Sequence, residues 1–431
     1  MPWRWRRGRT EENPPDPHLT DIQSPRHSPR RLPAPLASLS NRNFRLLWLG
    51  QVGQASSMWA EQVARNWLIW ELTESGLALG LVNLFRAVPL LVLGLWAGVA
   101  ADRYDKRKLL ILMQVWSLLV YVATAVLIVG GWIELWHIYV TVALLGAGMA
   151  MNQPVRTSWV PQMVGQAQLL NALSLNSIAI NTTRLIGPTL IGILIAVTDV
   201  GVAYIISAVF YTLVILTTFL IDAPPTQVSK DRGSMTEQLM EGLRFMSQDR
   251  LVLLLVVIGL GPLAFAFSYM TLLPIMATDV LGMGSGGFGA LMSAGAVGGL
   301  IGGLTLASRS DISHKGRLML VAGLGYGFVL ILLGGARWAV AVFPIIALAG
   351  ACQTVFRTSN NAALLQITPP QLQGRIISMT LLDTAMAPLA SVAAGLIADV
   401  VNVSAAMAVI GGVCVVIVGG IALLEPRIAR L

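Results

Sequence analysis

Long apolar segments, each of about the length that crosses a lipid bilayer, recur along almost the whole chain. A transmembrane helix needs about 20 mostly apolar residues, and its backbone polar groups must bond to one another because hydrocarbon offers no partners. Glycine, proline and charged residues divide the chain into twelve such segments. We therefore predict an all-α membrane protein with twelve transmembrane helices, at 44–70, 76–101, 109–130, 135–155, 169–198, 201–221, 251–280, 286–307, 317–335, 338–356, 376–398 and 402–424.

The composition agrees with a membrane protein and argues against several other classes. Charged residues make up 12% of the chain and the mean hydropathy is +0.71, whereas a soluble domain carries about 25% charged residues. The net charge of +8 does not predict nucleic-acid binding, because the basic residues form short clusters between spans. The cysteines and histidines lack ligand spacing and no P-loop occurs. We expect no metal, no cofactor and no enzyme activity.

Lysine and arginine are distributed unevenly between the two sides of the predicted spans. Of 29 basic residues, 25 lie in the N-terminal segment, the even-numbered loops and the C-terminus, while three lie inside spans. Arg337 is the remaining one, in an odd-numbered loop. Because basic loops stay on the cytoplasmic side, we expect a multi-pass protein of the inner (plasma) membrane, with both termini in the cytoplasm. We expect it to act as a monomer.

The two halves of the chain repeat one another at an offset of about 200 residues. A duplication of six spans predicts two pseudo-symmetric six-helix bundles around a central pathway, with a substrate site near the membrane midplane. The repeated residues are Gln153 with Gln353, Pro188 with Pro388, Asp199 with Asp399, and Arg156-Thr157-Ser158 with Arg357-Thr358-Ser359, the last placed in a loop of each half.

The remaining segments divide the chain into domains. Residues 1–43 are rich in proline and arginine and predict a disordered cytoplasmic tail. The bundles are predicted at 44–221 and 251–425. Between them, 222–250 predicts a cytoplasmic linker with a short amphipathic helix, and 426–431 a short cytoplasmic tail.

A compact polar motif, Gly98-x-x-x-Asp102-Arg103-x-x-x-Arg107-Lys108, lies at the junction of spans 2 and 3. The tendency of basic loops to stay inside explains its lysines and arginines, but it does not explain the glycine and the aspartate. The motif resembles the signature loop of the major facilitator superfamily, which implies a latch between the halves on the cytoplasmic side. The second half has Gly303 where the acid would align, so we assign the latch to the first copy only. The latch residues are Gly98, Asp102, Arg103, Arg107 and Lys108.

Span 5 contains a second motif, Arg184-Leu185-Ile186-Gly187-Pro188. It resembles the Gly-Pro motif of proton-coupled antiporters in the same superfamily, although Ile191 replaces the first glycine of a usual pair. Proline inside a span bends the helix and frees a carbonyl group. Arg184, Gly187 and Pro188 are therefore candidate gating residues, with a simple packing bend as the alternative.

Three further segments resemble the enterobactin-exporter and macrolide-efflux branch, also known as transmembrane secretion effectors. They begin at Asn41, Arg86 and Gln373, and the resemblance covers about residues 38–425. It implies export of siderophores, drugs or related amphipathic compounds, driven by proton entry.

Ionisable residues inside spans are costly and commonly functional. Glu61 and Arg65 lie four residues apart on span 1, and Arg86 on span 2 lies at a depth similar to that of Glu61. We predict a buried Glu61–Arg86 pair. Because removal from water favours a protonated carboxylate unless a cation lies beside it, Glu61, Arg86 and Asp383 are the candidates for proton coupling. A static structural pair, or for Asp383 a polar group satisfied between helices, is the alternative.

Polar residues of spans 1 and 4 are the candidate substrate lining. They are Gln54, Asn66, Asn152 and Gln153. Tryptophans 59, 67 and 70 could stack on a substrate, but anchoring at the membrane interface is their commoner role.

These patterns predict a secondary transporter that exports a small amphipathic molecule by alternating access, with protons as the coupling ion. An importer or a lysophospholipid translocator of the same fold is the alternative within transport. A membrane-embedded sensor or enzyme is the alternative from another class, but no histidine lies in the middle of a span and no loop is long enough for a signalling domain.

Overall fold

A computed structural model describes residues 34–222, 249–308, 315–369 and 381–431, with isolated positions between these ranges; the side chains of 34–35, 95–103 and 381–384 lie outside the description. Every regular element in these ranges is a helix, which confirms the predicted all-α class. The helices are α1 Arg42–Thr73, α2 Gly76–Arg103, α3 Lys106–Val129, α4 Leu135–Val197, α5 Val200–Phe219, α6 Arg250–Val257, α7 Tyr269–Ile275, α8 Gly284–Ala307, α9 Lys315–Gly335, α10 Ala339–Ile367, α11 Leu381–Val400 and α12 Val403–Leu424.

Side-chain caps set several of the helix starts. The first N–H groups of a helix have no partner within it, so an oxygen from the preceding residue stabilises them. Asn41 accepts from Asn43 N and Phe44 N at the start of α1. The same type of bond starts α3, α5, α6 and α12, from Asp105, Asp199, Asp249 and Asn402.

Nine helices of the described residues are long and apolar enough to cross a membrane. One of them is the continuous helical run Arg250–Val280, which contains α6 and α7. Another, α4, has 63 residues, about 95 Å at a rise of 1.5 Å per residue, which is far more than one bilayer. It breaks at Gly165, where φ is 67° and ψ is 174°. We call residues 166–197 the second arm of α4. The predicted number of twelve spans stays a prediction.

The structure corrects the predicted loops after spans 4 and 10. Helix α4 continues through residues 156–164 and α10 continues to Ile367, whereas the predicted spans ended at 155 and 356. Both Arg-Thr-Ser copies therefore lie on helices and not in loops. The extension of α4 is helical because Val155, Trp159 and Val160 form one apolar stripe, which is buried with Phe44 in a separate small core.

Part of the predicted disordered tail is ordered. Residues Ala34–Ser40 form a 3-10 helix, and the buried Ser38 donates from its backbone N to Asn171 Oδ1 at 3.0 Å. Asn41 Nδ2 donates to Met163 O at 2.6 Å. Local proline content does not reveal this docking onto α4, and the predicted domain boundary at residue 43 stays a prediction. Residues 1–33 and most of the predicted amphipathic helix lie outside the described residues.

Two helix pairs make most of the described contact between the halves of the molecule. Helices α1–α5 pack on one another and α6–α12 do the same, while α2 packs on α11 and α4 packs on α8. The contacts between α4 and α8 involve the second arm, at Pro188 and Gly192. These two pairs are equivalent under the predicted duplication, so the bundles face each other across a pseudo-twofold axis.

Candidate functional site

A carboxylate and two guanidinium groups form a buried cluster in the first half. Arg65 Nε donates to Glu61 Oε1 at 2.6 Å, and Arg86 Nη1 donates to Glu61 Oε2 at 3.4 Å. Arg65 lies one turn along α1, whereas Arg86 reaches across from α2. The side chains of Glu61 and Arg65 are 2% and 1% exposed. The predicted Glu61–Arg86 pair is present, and Arg65 is the nearer partner.

Tyrosine and methionine side chains enclose this cluster. Arg86 Nη2 lies 2.9 Å from Met149 Sδ, and Tyr121 and Tyr211 line the small space that remains. Its volume is about 10 Å³, which holds about one water molecule. A charge in such surroundings is stable only when it is paired. The two arginines therefore stabilise the negative charge of Glu61, with one positive charge in excess.

The other predicted lining and coupling residues differ in their surroundings. Gln54 is buried and lines the small cavity beside Glu61. Asn66 and Asn152 are also buried, and their Oδ1 atoms have no partner among the described residues, whereas Gln153 is exposed. The side chain of Asp383 lies outside the described residues.

The halves are in close contact at one end of the bundle, which we call the closed end. It contains the end of α1, the start of α2, the end of α11, the end of the second arm of α4 and the start of α8. A Cβ built at Gly80 would lie 2.6 Å from the carbonyl O of Ser391 on α11. One built at Gly192 would lie 2.6 Å from the carbonyl O of Ser285 on α8. Backbones this close leave no space for a substrate.

A carboxylate of the second half caps a helix of the first half at the closed end. Asp399 on α11 accepts from Ser75 Oγ at 2.7 Å, from Gly76 N at 2.5 Å and from Leu77 N at 2.9 Å. The helix dipole and the free N–H groups at the start of α2 both favour this negative charge. Its repeat counterpart, Asp199, instead accepts from Gly201 N at 2.6 Å within its own half.

A larger cavity lies between the halves, toward the opposite end, which we call the open end. Its volume is about 370 Å³. Along α4 it begins near Arg184 and extends to Ser177, which is 15 residues or about 22 Å from Gly192. Its lining residues are Ser177, Ile178, Asn181, Thr182, Arg184, Leu185, Ala296, Gly299, Leu300, Gly303, Leu304 and Thr354, from α4, α8 and α10.

The three predicted gating residues lie between this cavity and the closed end. The Arg184 guanidinium faces the ring of Trp59 on α1, 6.0 Å from its centroid, and a Cβ built at Gly187 would lie 3.2 Å from Trp59 Cβ. The carbonyl of Pro188 packs directly against Gly289 of α8. Of the three residues, Pro188 takes part in the contact between the halves, whereas the contacts of Arg184 and Gly187 with Trp59 lie within the first half. The gating role stays a prediction.

The predicted latch is described only in part. The side chains of residues 98, 102 and 103 lie outside the description. The Arg107 guanidinium donates to Phe219 O and lies 5.3 Å from the centroid of the Phe219 ring. Lys108 donates from its backbone N to Asp105 Oδ1 at 2.9 Å. These contacts stay within the first half, at the open end, and the latch stays a prediction.

Sequence reasoning missed the lining of the larger cavity. Ser177, Asn181 and Arg184 lie on one face of α4 at helical spacing, a polar stripe that was visible in the sequence. Thr354 approaches them only through tertiary packing. Among the described residues, no three histidine, cysteine, aspartate or glutamate side chains could together hold a metal ion.

Two helix bundles that touch closely at one end and enclose a cavity toward the other are the architecture of a major facilitator transporter. The fold agrees with a solved bacterial homologue of the human lysosomal transporter Spinster, in an inward-facing and unoccupied conformation. The TM-score is 0.68 at 14% identity, covering 90% of this chain and 96% of that chain. At this identity the likeness concerns the fold only.

Sequence comparison identifies the family. The transmembrane secretion effector model matches residues 33–431, and the chain belongs to this family. It is 28% identical to the staphyloferrin A transporter of Staphylococcus aureus, over 85% of this chain and 90% of that protein. It is 27% identical to the enterobactin exporter EntS of Shigella boydii, over 80% of each chain. The chain is thus a multi-pass membrane transporter of the major facilitator superfamily, as predicted.

Proposed function

We propose that this transporter exports a small amphipathic molecule by alternating access, in exchange for protons. The observation that carries the proposal is the Glu61 carboxylate, held between Arg65 and Arg86 in the first bundle. A proton on Glu61 would cancel the charge that holds both arginines. Arg86, the more exposed of the two at 18%, would then be free to move. Protonation is in this way coupled to the packing of α1 against α2.

The closed and open ends support a cycle between two states. The start of α1 and the C-terminal segment Pro426–Arg430 both lie at the open end, because α1 ends at the closed end and α12 runs back from the end of α11. The excess of basic residues in the loops favours a cytoplasmic position for this end. We therefore assign the conformation as open to the cytoplasm, with the closed end on the outer face of the inner membrane.

The relatives support the direction and the type of cargo. One relative carries staphyloferrin A in its name and another is an exporter of enterobactin. A siderophore or a drug of similar amphipathic character fits a cavity with apolar walls and few polar groups.

Proton movement in inside-out vesicles tests the proposal. A respiration-driven pH gradient is followed with a quenched dye, and staphyloferrin A, enterobactin or a panel of drugs is added. We expect at least one compound to dissipate the gradient with the wild-type protein but not with Glu61→Gln. Glu71→Gln, an exposed position on the same helix, is the matched control and should behave like wild type. A full response from Glu61→Gln would exclude this residue as the proton carrier.

A lysophospholipid translocator is a second candidate, favoured by the exposure of apolar side chains around the cavity. Ile178, Leu300 and Leu304 are 57%, 48% and 61% exposed. This places an apolar opening between α4 and α8, through which a lipid could enter from the side. Transfer of a labelled lysophospholipid between leaflets of proteoliposomes, compared with empty vesicles, tests this candidate.

A further inference from the structure

One cation in the larger cavity has no counter-charge among the residues that the structure describes. Arg65 and Arg86 share Glu61, but no carboxylate lies within salt-bridge distance of Arg184 in the described part of the chain. We propose that Arg184 binds the negatively charged head group of an amphipathic substrate. The inference rests on the proposed transport function and specifies the substrate class of its cavity.

The electrostatics of the cavity favour an anion. Arg184 is the one charged residue among the twelve that line it. An unpaired charge that is partly removed from water gains most from an ionised partner, and guanidinium binds carboxylate and phosphate oxygens in a bidentate manner. The face of Trp59 stabilises the cation from one side. Arg184 also lines the cavity, where a ligand can reach it.

Neutral polar groups extend the anion site. Asn181 lies three residues before Arg184 on the same face of α4, and Thr354 approaches from α10 in the other half. The Thr354 hydroxyl lies 2.9 Å from a Cβ built at Gly299, so it points at the cavity wall formed by α8. A head group bound to Arg184 and Thr354 together would connect the two bundles.

The remaining walls suit an apolar tail. Ile178, Leu300 and Leu304 line the cavity on the side toward the open end, and Leu185 lines it next to Arg184. A volume of about 370 Å³ is within the usual range for small-molecule sites. An anionic head with a hydrocarbon or aromatic body therefore fits both the charge and the apolar surface. Such a molecule could be a soluble carboxylate or a lysophospholipid, and the experiment separates these sources.

Binding of matched probes tests the charge selectivity without any ion gradient. The full-length protein in nanodiscs of phosphatidylcholine is titrated with labelled dodecanoate, dodecanol and dodecyltrimethylammonium, and binding to empty nanodiscs is subtracted. We expect specific binding of dodecanoate to exceed that of the other two at least tenfold. Lysophosphatidylglycerol and unlabelled dodecanoate are then compared as competitors of labelled dodecanoate. If lysophosphatidylglycerol displaces the label more strongly, the substrate is a lipid; if it displaces the label more weakly, the substrate is a soluble carboxylate.

Variants then assign the selectivity to Arg184. Arg184→Gln should lower the affinity for dodecanoate at least tenfold, and Arg184→Lys should retain part of it. Arg317→Gln, an exposed arginine at the start of α9, is the matched control and should bind like wild type. Equal binding of all three probes to the wild-type protein, or unchanged binding by Arg184→Gln, would overturn the inference. Because no proton gradient is present, this result is independent of the Glu61 test.

Discussion

The Asp399 carboxylate joins the two halves by hydrogen bonds, so replacing Asp399 by asparagine should shift the equilibrium toward the conformation in which the closed end is open. The asparagine side chain would retain one acceptor oxygen but lose the negative charge and at least one of the three bonds to Ser75, Gly76 and Leu77. A charge-assisted hydrogen bond contributes about 1.5–3 kcal/mol, and the interaction with a helix N-terminus about 0.3–1 kcal/mol. We expect a loss of about 2 kcal/mol at the closed end, an approximately 30-fold change in the equilibrium between the states.

Spin-label distances across the closed end measure this shift. Labels at Glu74→Cys and Val401→Cys mark the tips of α1 and α11, in a protein that also carries Cys352→Ala and Cys414→Ala. The population with the longer distance should increase in the Asp399→Asn variant. A matched substitution, Asp199→Asn, removes the same charge from a cap within the first half but keeps the cap, because asparagine caps a helix about as well as aspartate. It should cost about 0.3–1 kcal/mol through the lost interaction with the helix dipole and leave the distance unchanged. An unchanged distance for Asp399→Asn, or an equal shift for both variants, would refute the reasoning.

Two further predictions concern packing and the charged cluster. Gly289→Ala places a methyl group against the carbonyl of Pro188, whereas a Cβ at Gly286 of the same helix meets nothing within 4 Å. Only Gly289→Ala should lengthen the distance between α4 and α8 at the closed end, and a similar effect of Gly286→Ala would contradict this. Arg65→Met removes the nearer hydrogen bond to the buried Glu61 and leaves Arg86 as its partner, which should lower the free energy of unfolding by about 1.5–3 kcal/mol. Adding Glu61→Gln should recover part of that loss in thermal unfolding, and simple additivity of the two substitutions would argue against a coupled pair.

The span pattern and the charged cluster could be predicted from the sequence because both depend on local spacing. Apolar length reveals a membrane helix, and the i,i+4 spacing of Glu61 and Arg65, with a turn between α1 and α2, fixes their depth relative to Arg86. The extension of α4 past residue 155 could not be read in the same way. Its polar residues resemble a loop, and the stripe of Val155, Trp159 and Val160 becomes decisive only when the small core around Phe44 exists.

The contacts between the halves depend on tertiary structure and could not be predicted from the sequence pattern. Asp199 and Asp399 were recognised as repeats of one another, but nothing local distinguishes a cap on the next helix from a cap on a helix more than 300 residues away. The cavity was missed for the same reason, because Thr354 and Arg184 come together only through the packing of α4 on α8 and α10.

The unequal roles of Asp199 and Asp399 make the closed end of the protein asymmetric. At one junction, α2 with α11, the Asp399 carboxylate accepts hydrogen bonds from the other half. The described contacts of the other junction, α4 with α8, are uncharged: close backbone packing and a bond from Thr189 N to Ser293 Oγ at 3.2 Å. When the bundles separate, α4 should move away from α8 first, while α2 and α11 stay in contact and act as the hinge. A substrate bound beside Arg184 would then leave between α4 and α8, next to the lipid.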